Sequence, residues 1–357
     1  MAKRVVVGMS GGVDSSVAAA ILVEEGYDVI GVTLQIWPAS LPYVEVEGGC
    51  CSLSAVEDAR RVCQLIGIPH YVLNFQDVFE AEVIGNFVDE YRRGRTPNPC
   101  IVCNKRIKFG HLLEKAKGLD AQYVATGHYV RVKQVGDRYL LYKGRDIGKD
   151  QSYALYNLTQ EQLAHSLFPL GDFTKEETRQ KAAQLGLRVA SKPDSQEICF
   201  IPDDDYRRFL RDYAPETLQP GPIVDAEGRV LGEHQGIAFY TIGQRKGLGI
   251  SAPHPLYVHD IIPETNTIVV GPDALVFGNS LLVEDPNFIS IPQLEGPLEV
   301  EAKIRYNVEP APAVLRPSEE GVVTEFLQPQ RAITPGQSAV WYQGDLVVGG
   351  GIVKSRS

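Results

Sequence analysis

The segment from Arg4 to Gly26 constrains the fold more than any other. RVVVG is a short β-branched run closing on glycine, and SSVAAAILVEEG, beyond the loop after it, has helical apolar spacing with glycine at its end. A second strand follows in YDVIGVTLQIW, then a loop of glycine and cysteine, a helical stretch SAVEDARRVCQLIG, and another apolar strand in HYVLNF. Strand and helix alternating in this order predict a parallel sheet with helices on both faces, the doubly wound α/β class. AQYVATGHYVRV adds a further strand ending at a glycine, and this unit is expected to span residues 1–165.

Beyond it the text changes. FTKEETRQKAAQLGL and DYRRFLRDYA read as polar helices around a loop, SKPDSQEICF, so residues 166–215 are expected to form a small helical linker domain. Over 216–357, proline and glycine punctuate short alternating runs such as GIAFYTIG, LYVHDII, TIVVG, LEVEAKIRY and SAVWYQGDLVVGGGIV. That pattern predicts an all-β sandwich or small barrel. A chain of 357 residues has room for three domains.

No stretch approaches the roughly 18 uninterrupted apolar residues of a membrane span. MAKRVVVGMSGG runs straight into a strand, without the apolar core of a secretory leader, so a cytoplasmic protein is expected. Thiols stay reduced there, and six irregularly spaced cysteines point to chemistry or metal rather than to a disulfide framework. A net charge of −10 argues against a surface coated for indiscriminate nucleic-acid binding, while leaving room for local patches. Arg92, Arg93 and Arg95 before the pair Cys100/Cys103, and Lys105, Arg106 and Lys108 after it, form one candidate patch.

Between the first strand and helix, Ser10, Gly11 and Gly12 let the backbone curl so that its amides and the helix N-terminus face an anion. The loop is neither GxxxxGK[ST] nor GxGxxG. SGGVDS, from Ser10 to Ser15, resembles the pyrophosphate-binding loop of the ATP pyrophosphatase superfamily, which has an adenine nucleotide alpha hydrolase-like fold and cleaves ATP between its α and β phosphates. The resemblance implies ATP contacts from Gly8, Met9, Ser10, Gly11, Gly12, Val13, Asp14 and Ser15. Asp14 would hold Mg2+, fix the loop, or cap the helix. ATGHYVR resembles the second nucleotide loop, with Gly127 letting the backbone approach ATP; Leu34 stands where the superfamily contacts adenine through the main chain. His128 is read as structural or catalytic.

TPNPC-x-x-CN-x-x-IKF, GRDIGKDQSYALY, SKPDSQEICFI and YTIGQRKGLGI resemble, in order, motifs of the bacterial tRNA-specific 2-thiouridylases. The resemblance covers residues 5 to about 350. It implies sulfur transfer to carbon 2 of the wobble uridine in tRNAs for Lys, Glu and Gln, after ATP adenylates the oxygen there. Cys199 matches the persulfide-bearing cysteine and Cys103 its partner, the catalytic nucleophile. A sulfur carrier or cysteine desulfurase would supply the sulfur. Asn98, Pro99 and Cys100 fall on the segment that meets the target base, Lys149, Asp150 and Gln151 on a tRNA contact, and Arg305 with Tyr306 on another.

Cys100 departs from the family, in which many members carry aspartate there. It packs beside the base as a neutral replacement, or serves as an auxiliary redox thiol, or joins Cys103 and Cys199 in holding a [4Fe-4S] cluster with one iron open to sulfide. Zinc is the weaker metal, since a structural site wants four ligands. Adjacent Cys50 and Cys51 are poorly placed for joint chelation, and Cys63 falls on the apolar rhythm of its helix. The rival readings are a nitrogen-transferring synthetase of the same superfamily and a tRNA- or metal-binding protein without turnover.

Overall fold

A computed structural model describes residues 2–38, 53–192, 198–201 and 203–356. Cys50, Cys51 and the middle of SKPDSQEICF lie outside them. The chain forms two compact units, one of residues 1–83, 100–204 and 345–347, the other of 84–99, 205–344 and 348–357.

The first unit is built on a wholly parallel sheet. Its strands are β1 (Arg4–Gly8), β2 (Asp28–Gln35), β3 (His70–Asn74), β4 (Tyr123–Ala125) and β7 (Ser166–Leu167), in the order β3-β2-β1-β4-β7. Helix α1 (Val13–Glu24) is buried along nearly its whole length from Val13 to Leu22, which explains why AAAIL shows so little polar face. It packs with Val5 and Val7 of β1, with Ala59, Val62 and Cys63 of α2 (Leu53–Leu65), and with Ala182 of α8 (Lys175–Gln184). The doubly wound expectation is met. AQYVATGHYVRV is two strands rather than one: β4 stops at Ala125, and β5 (Val130–Val135) begins an antiparallel hairpin with β6 (Arg138–Lys143).

Four short helices complete this unit: α3 (Gln76–Phe79), α5 (Pro99–Val102), α6 (Leu112–Lys117) and α7 (Gln160–Ala164). Between α5 and α6, residues Cys103–His111 wind as a π-helix, and Glu80–Ile84 wind as another. The segment around Cys103 is therefore helical, and wide turns of this kind recur at functional sites.

The second unit begins with α4 (Gly85–Arg92) and α9 (Tyr206–Tyr213), joined through Phe87 against Phe209 and Tyr91 stacked on Tyr206. A four-stranded sheet follows, ordered β10-β11-β8-β9, from β8 (Gly221–Val224), β9 (Val230–His234), β10 (Tyr257–Ile262) and β11 (Thr267–Gly271). GIAFYTIG is no strand: Ile237–Phe239 form a 3-10 turn, and Ile237 to Tyr240 are buried in succession, with no face left for water. A closed barrel comes last, from β12 (Phe277–Phe288), β13 (Leu298–Lys303), β14 (Ala311–Ser318), β15 (Gly321–Arg331), β16 (Ser338–Gln343) and β17 (Leu346–Arg356). Its order is β12-β15-β14-β13-β16-β17, closed by β12 against β17 in the register Glu284 to Ile352. Closure removes the sheet edges that an open sandwich would leave. Trp341 fills the interior and its indole donates to Thr324 Oγ1 at 3.1 Å.

Candidate functional site

Strand β1 lies between β2 and β4, so the strand order reverses there, and ligands of open parallel sheets bind beyond the carboxyl ends at such a point. Both loops singled out from the sequence leave from those ends, Met9–Gly12 from β1 and Thr126–His128 from β4. Gly11 has φ +69°, and a Cβ there would fall 2.3 Å from the Ala55 carbonyl oxygen, so no larger residue fits without moving α2. Ser10 and Ser15 close the loop, their hydroxyls 3.2 Å apart with Ser15 Oγ also accepting the Ser10 amide. Gly12 takes the N-cap position in an extended conformation and has no side chain to cap the first amides of α1, an arrangement suited to receiving an anion.

Gly127 proves necessary for a reason the sequence did not disclose. A Cβ on it would lie 2.6 Å from the Asp14 carbonyl carbon and 2.7 Å from the Ser15 nitrogen. The second loop thus packs backbone to backbone on the start of α1. Asp14 is fixed by long-range partners: Lys175 Nζ lies 2.8 Å from both carboxylate oxygens, and the Tyr129 hydroxyl donates to Oδ1 at 2.8 Å. Lys175 also sits 5.8 Å from the Tyr129 ring centre, and Thr178 contacts the same hydroxyl at 3.0 Å. Of the three roles open to Asp14, this geometry is that of a loop fastener. A second lysine, Lys192, places Nζ 3.2 Å from the Gly11 carbonyl and 3.0 Å from Asp58 Oδ2. Lys175 carries no sequence signal, being one cation in a polar stretch, and although Lys192 lies in SKPDSQEICFI, nothing in that motif discloses its partners.

Leu34 is the penultimate residue of β2, in register with Leu73, and the adjacent Thr33 donates to the Met9 carbonyl at 2.9 Å while meeting His70 Nε2 at 2.9 Å. This bond ties the end of β2 to the anion loop. His128 meets Thr126 Oγ1 through Nδ1 at 2.7 Å, with Phe109 and Phe168 against its ring. Burial first, and Lys108 second, hold its pKa well below the usual 6.5, so it is neutral at physiological pH. Burial likewise lowers His70, His234 and His259. A depressed folded pKa means that the unfolded chain binds more protons on the acid side, so this stability is complete above about 6.5 and declines as pH falls. Melting temperature is expected to drop between pH 7.5 and 5.5, and His128→Gln should flatten that slope in thermal melts at both pH values.

Cys103 opens the π-helix and is buried, 9% exposed, whereas Cys100 on α5 is exposed and Cys199 half-buried. Asn104, the next residue, donates from Nδ2 to the Ala154 carbonyl at 3.0 Å and pins the π-helix to the turn at Ser152–Ala154. Phe200, next to Cys199, meets Phe79 edge to face at 5.8 Å, and α3, which ends in Phe79, packs on the π-helix. The segments bearing Cys103 and Cys199 thus share α3 as a neighbour. Among the described residues, no three His, Cys, Asp or Glu side chains are spaced to hold a metal ion. Cys100, Cys103 and Cys199 are therefore not gathered as cluster ligands in this conformation, contrary to that reading of the spacing. Cys63 is fully buried, and burial pushes its thiol up to about 12, which suits a core residue.

The expected RNA contacts divide by orientation. Asp150 caps its own turn, accepting from the Gly144 and Ser152 amides at 3.0 and 3.1 Å, and Gln151 accepts the Tyr129 amide at 3.0 Å. Gln151 thereby fastens this loop to the residue after the second nucleotide loop, while Asp150 holds its own turn to Gly144; Lys149 is half-buried. In the second unit, Arg305 Nη2 donates to the Ile242 and Ala332 carbonyls at 3.1 and 3.0 Å, while Tyr306 stays 44% exposed with Lys303 over its ring. Arg95 joins Glu90 and Glu284 at 2.8 and 2.6 Å, so it belongs to the packing of that unit rather than to a phosphate track. Asn98 is half-buried and Pro99 buried.

Three family descriptions match the chain: a tRNA methyl transferase HUP domain over residues 3–203, a tRNA methyl transferase PRC-barrel domain over 207–272, and an aminomethyltransferase beta-barrel domain over 278–353. Among curated proteins, the chain is 62% identical to a tRNA-specific 2-thiouridylase of Heliobacterium modesticaldum, covering 99% of this chain and 93% of that protein. It is 60% identical to the Clostridium perfringens enzyme of the same name, covering 99% of each, and 57% to that of Acetivibrio thermocellus, again covering 99% of each.

Proposed function

Since the chain belongs to the tRNA-specific 2-thiouridylase family, we propose that it thiolates carbon 2 of the wobble uridine in tRNAs for Lys, Glu and Gln. It is an ATP-dependent tRNA sulfurtransferase. The observation that carries the reading is the convergence of the SGGVDS loop and the Gly127 loop at the reversal of strand order, within a chain matched over its full length.

The chemistry follows from what uracil lacks. Its carbon-2 oxygen is a poor leaving group, so it attacks the α-phosphorus of ATP and pyrophosphate departs. Gly8, Met9, Gly11, Gly12 and Val13 would hold the phosphates through the backbone, Ser10 and Ser15 through hydroxyls, with Leu34 and Gly127 flanking the nucleoside. Mg2+ would accompany the phosphates, and Asp14, held by Lys175 and Tyr129, would support the loop beside them.

A persulfide on Cys199 carries sulfur at the zero oxidation level. As its terminal sulfur bonds to carbon 2, AMP leaves, and the sulfur ends reduced while the Cys103 and Cys199 thiols are oxidised to a disulfide. An external thiol resets the pair, and a sulfur carrier or desulfurase reloads Cys199. We assign residues 1–165 to ATP, 166–215 to the sulfur-bearing loop and 216–357 to clamping tRNA, with Tyr306 presented for stacking and Lys149 for phosphate. Among the described residues no helix is long and apolar enough to cross a membrane, in keeping with work in the cytoplasm.

The test is tRNA-dependent release of AMP and pyrophosphate, together with 2-thiouridine in digested tRNA. Absence of the thionucleoside despite pyrophosphate release would favour a nitrogen-transferring relative; absence of both would favour a binding protein. Anaerobic purification is expected to give a colourless protein without iron, Cys100 acting beside the base; about four irons per chain, lost in Cys100→Ala, would require the three thiols to converge as the described conformation does not.

A further inference from the structure

The anion loop contains no cation of its own. From Met9 to Ser16 it offers amides, hydroxyls and one carboxylate, yet the group that must leave is pyrophosphate, which gains negative charge as the α–β bond breaks. Lys175 is held by both Asp14 oxygens and the Tyr129 ring, and is only 12% exposed. Lys192 is differently held. Its ammonium rests 3.2 Å from the carbonyl of Gly11, a neutral group within the loop itself, and 3.0 Å from Asp58. The two side chains of that ion pair are 23% and 28% exposed, and pairs in reach of water add little to stability. The pair therefore adds little as a fastener, and it places a positive charge at the rim of the loop.

We propose that Lys192 is a catalytic residue of ATP cleavage, leaving Asp58 to bind the departing β,γ-pyrophosphate. The bond formed joins the uracil oxygen to the α-phosphorus, the bond broken is that between the α-phosphorus and the α–β bridging oxygen, the electron pair leaves on pyrophosphate, and the N3 proton of uracil is released to water. Lys192 stays protonated throughout and neutralises that charge. This inference rests on the thiouridylase reading above.

The experiment measures tRNA-dependent pyrophosphate release by the full chain, with kcat and KM for ATP and product inhibition by inorganic pyrophosphate. Lys192→Met is expected to lower kcat about 100-fold, with a much smaller change in KM, and to weaken pyrophosphate inhibition. Lys192→Arg should recover part of the rate. Asp58→Asn, which removes only the resting partner, should keep kcat within about threefold and bind pyrophosphate as well as wild type or better. Equal losses in Lys192→Met and Asp58→Asn would show a tether instead and overturn the proposal, as would an unchanged rate in Lys192→Met. If Lys192→Met does not fold, weaker pyrophosphate inhibition in Asp58→Asn alone overturns it and tighter inhibition upholds it. Wild type without tRNA-dependent pyrophosphate release would refute the thiouridylase reading itself, a result distinct from these.

Discussion

Cys199→Ser is expected to abolish 2-thiouridine formation, a loss on the order of 1,000-fold or more, while tRNA affinity and ATP binding stay close to wild type. Serine has nearly the same size at this half-buried position, so the fold should persist. What disappears is the capacity to carry sulfur, since a hydroxyl forms no persulfide. Cys103→Ser should stop thiolation as well, but by another route: Cys199 would still accept sulfur from a donor, and the loaded enzyme would then be unable to form the disulfide that releases it. Mass spectrometry of each variant after exposure to a sulfur donor separates the two, with an added sulfur on Cys199 expected only in Cys103→Ser. Persulfide accumulating instead on Cys103 would reverse the assignment.

Gly11→Ala should be almost as damaging, for reasons of space. At φ +69° an L-residue costs about 1 to 2 kcal/mol, and the new Cβ would lie 2.3 Å from the Ala55 carbonyl oxygen, backbone that cannot rotate aside. Either the loop or α2 must move. A displacement of about 1 Å at a reacting centre can cost on the order of 100-fold in rate, and that loss in tRNA-dependent pyrophosphate release is the expected result. Melting temperature should also fall by about 4 to 8 °C for a cost near 2 kcal/mol. Gly12→Ala is the control. Its Cβ would meet only Ser10 Oγ at 3.3 Å, and it has an extended backbone, so a much smaller effect is expected in both measurements. Equal damage from the two would show that the loop tolerates no side chain for reasons other than the Ala55 contact.

The strand runs RVVVG and DVIGVTLQ are legible in the sequence because β-branched apolar stretches have few other ways to be buried, and HYVLN reads as a strand too although Tyr71 and Val72 of this end strand are exposed. Barrel strands such as LEVEAK and SAVWYQ were legible for the same local reason. GIAFYTIG misled because consecutive burial without alternation looks like a strand in text, while the observed 3-10 turn buries the same residues on all sides. The π-helix at Cys103 has no periodic signature that distinguishes it from a short loop followed by a helix.

For the site, glycine and serine positions around residues 8–15 were determined by the sequence, because a tight turn into a helix limits the residue types that fit. The partners of charged side chains were not. Asp14 meets Lys175, and Gly11 meets Lys192, across sequence separations of 161 and 181 residues. Arg305 and Asp150 read as RNA contacts in the sequence, where nothing signals that Arg305 Nη2 also donates to the Ile242 and Ala332 carbonyls or that Asp150 accepts from Gly144 and Ser152. A sequence records local conformational preference and apolar rhythm, which depend on neighbours a few residues away. Which cation reaches which carboxylate depends on how distant segments pack, and only the tertiary structure decides that.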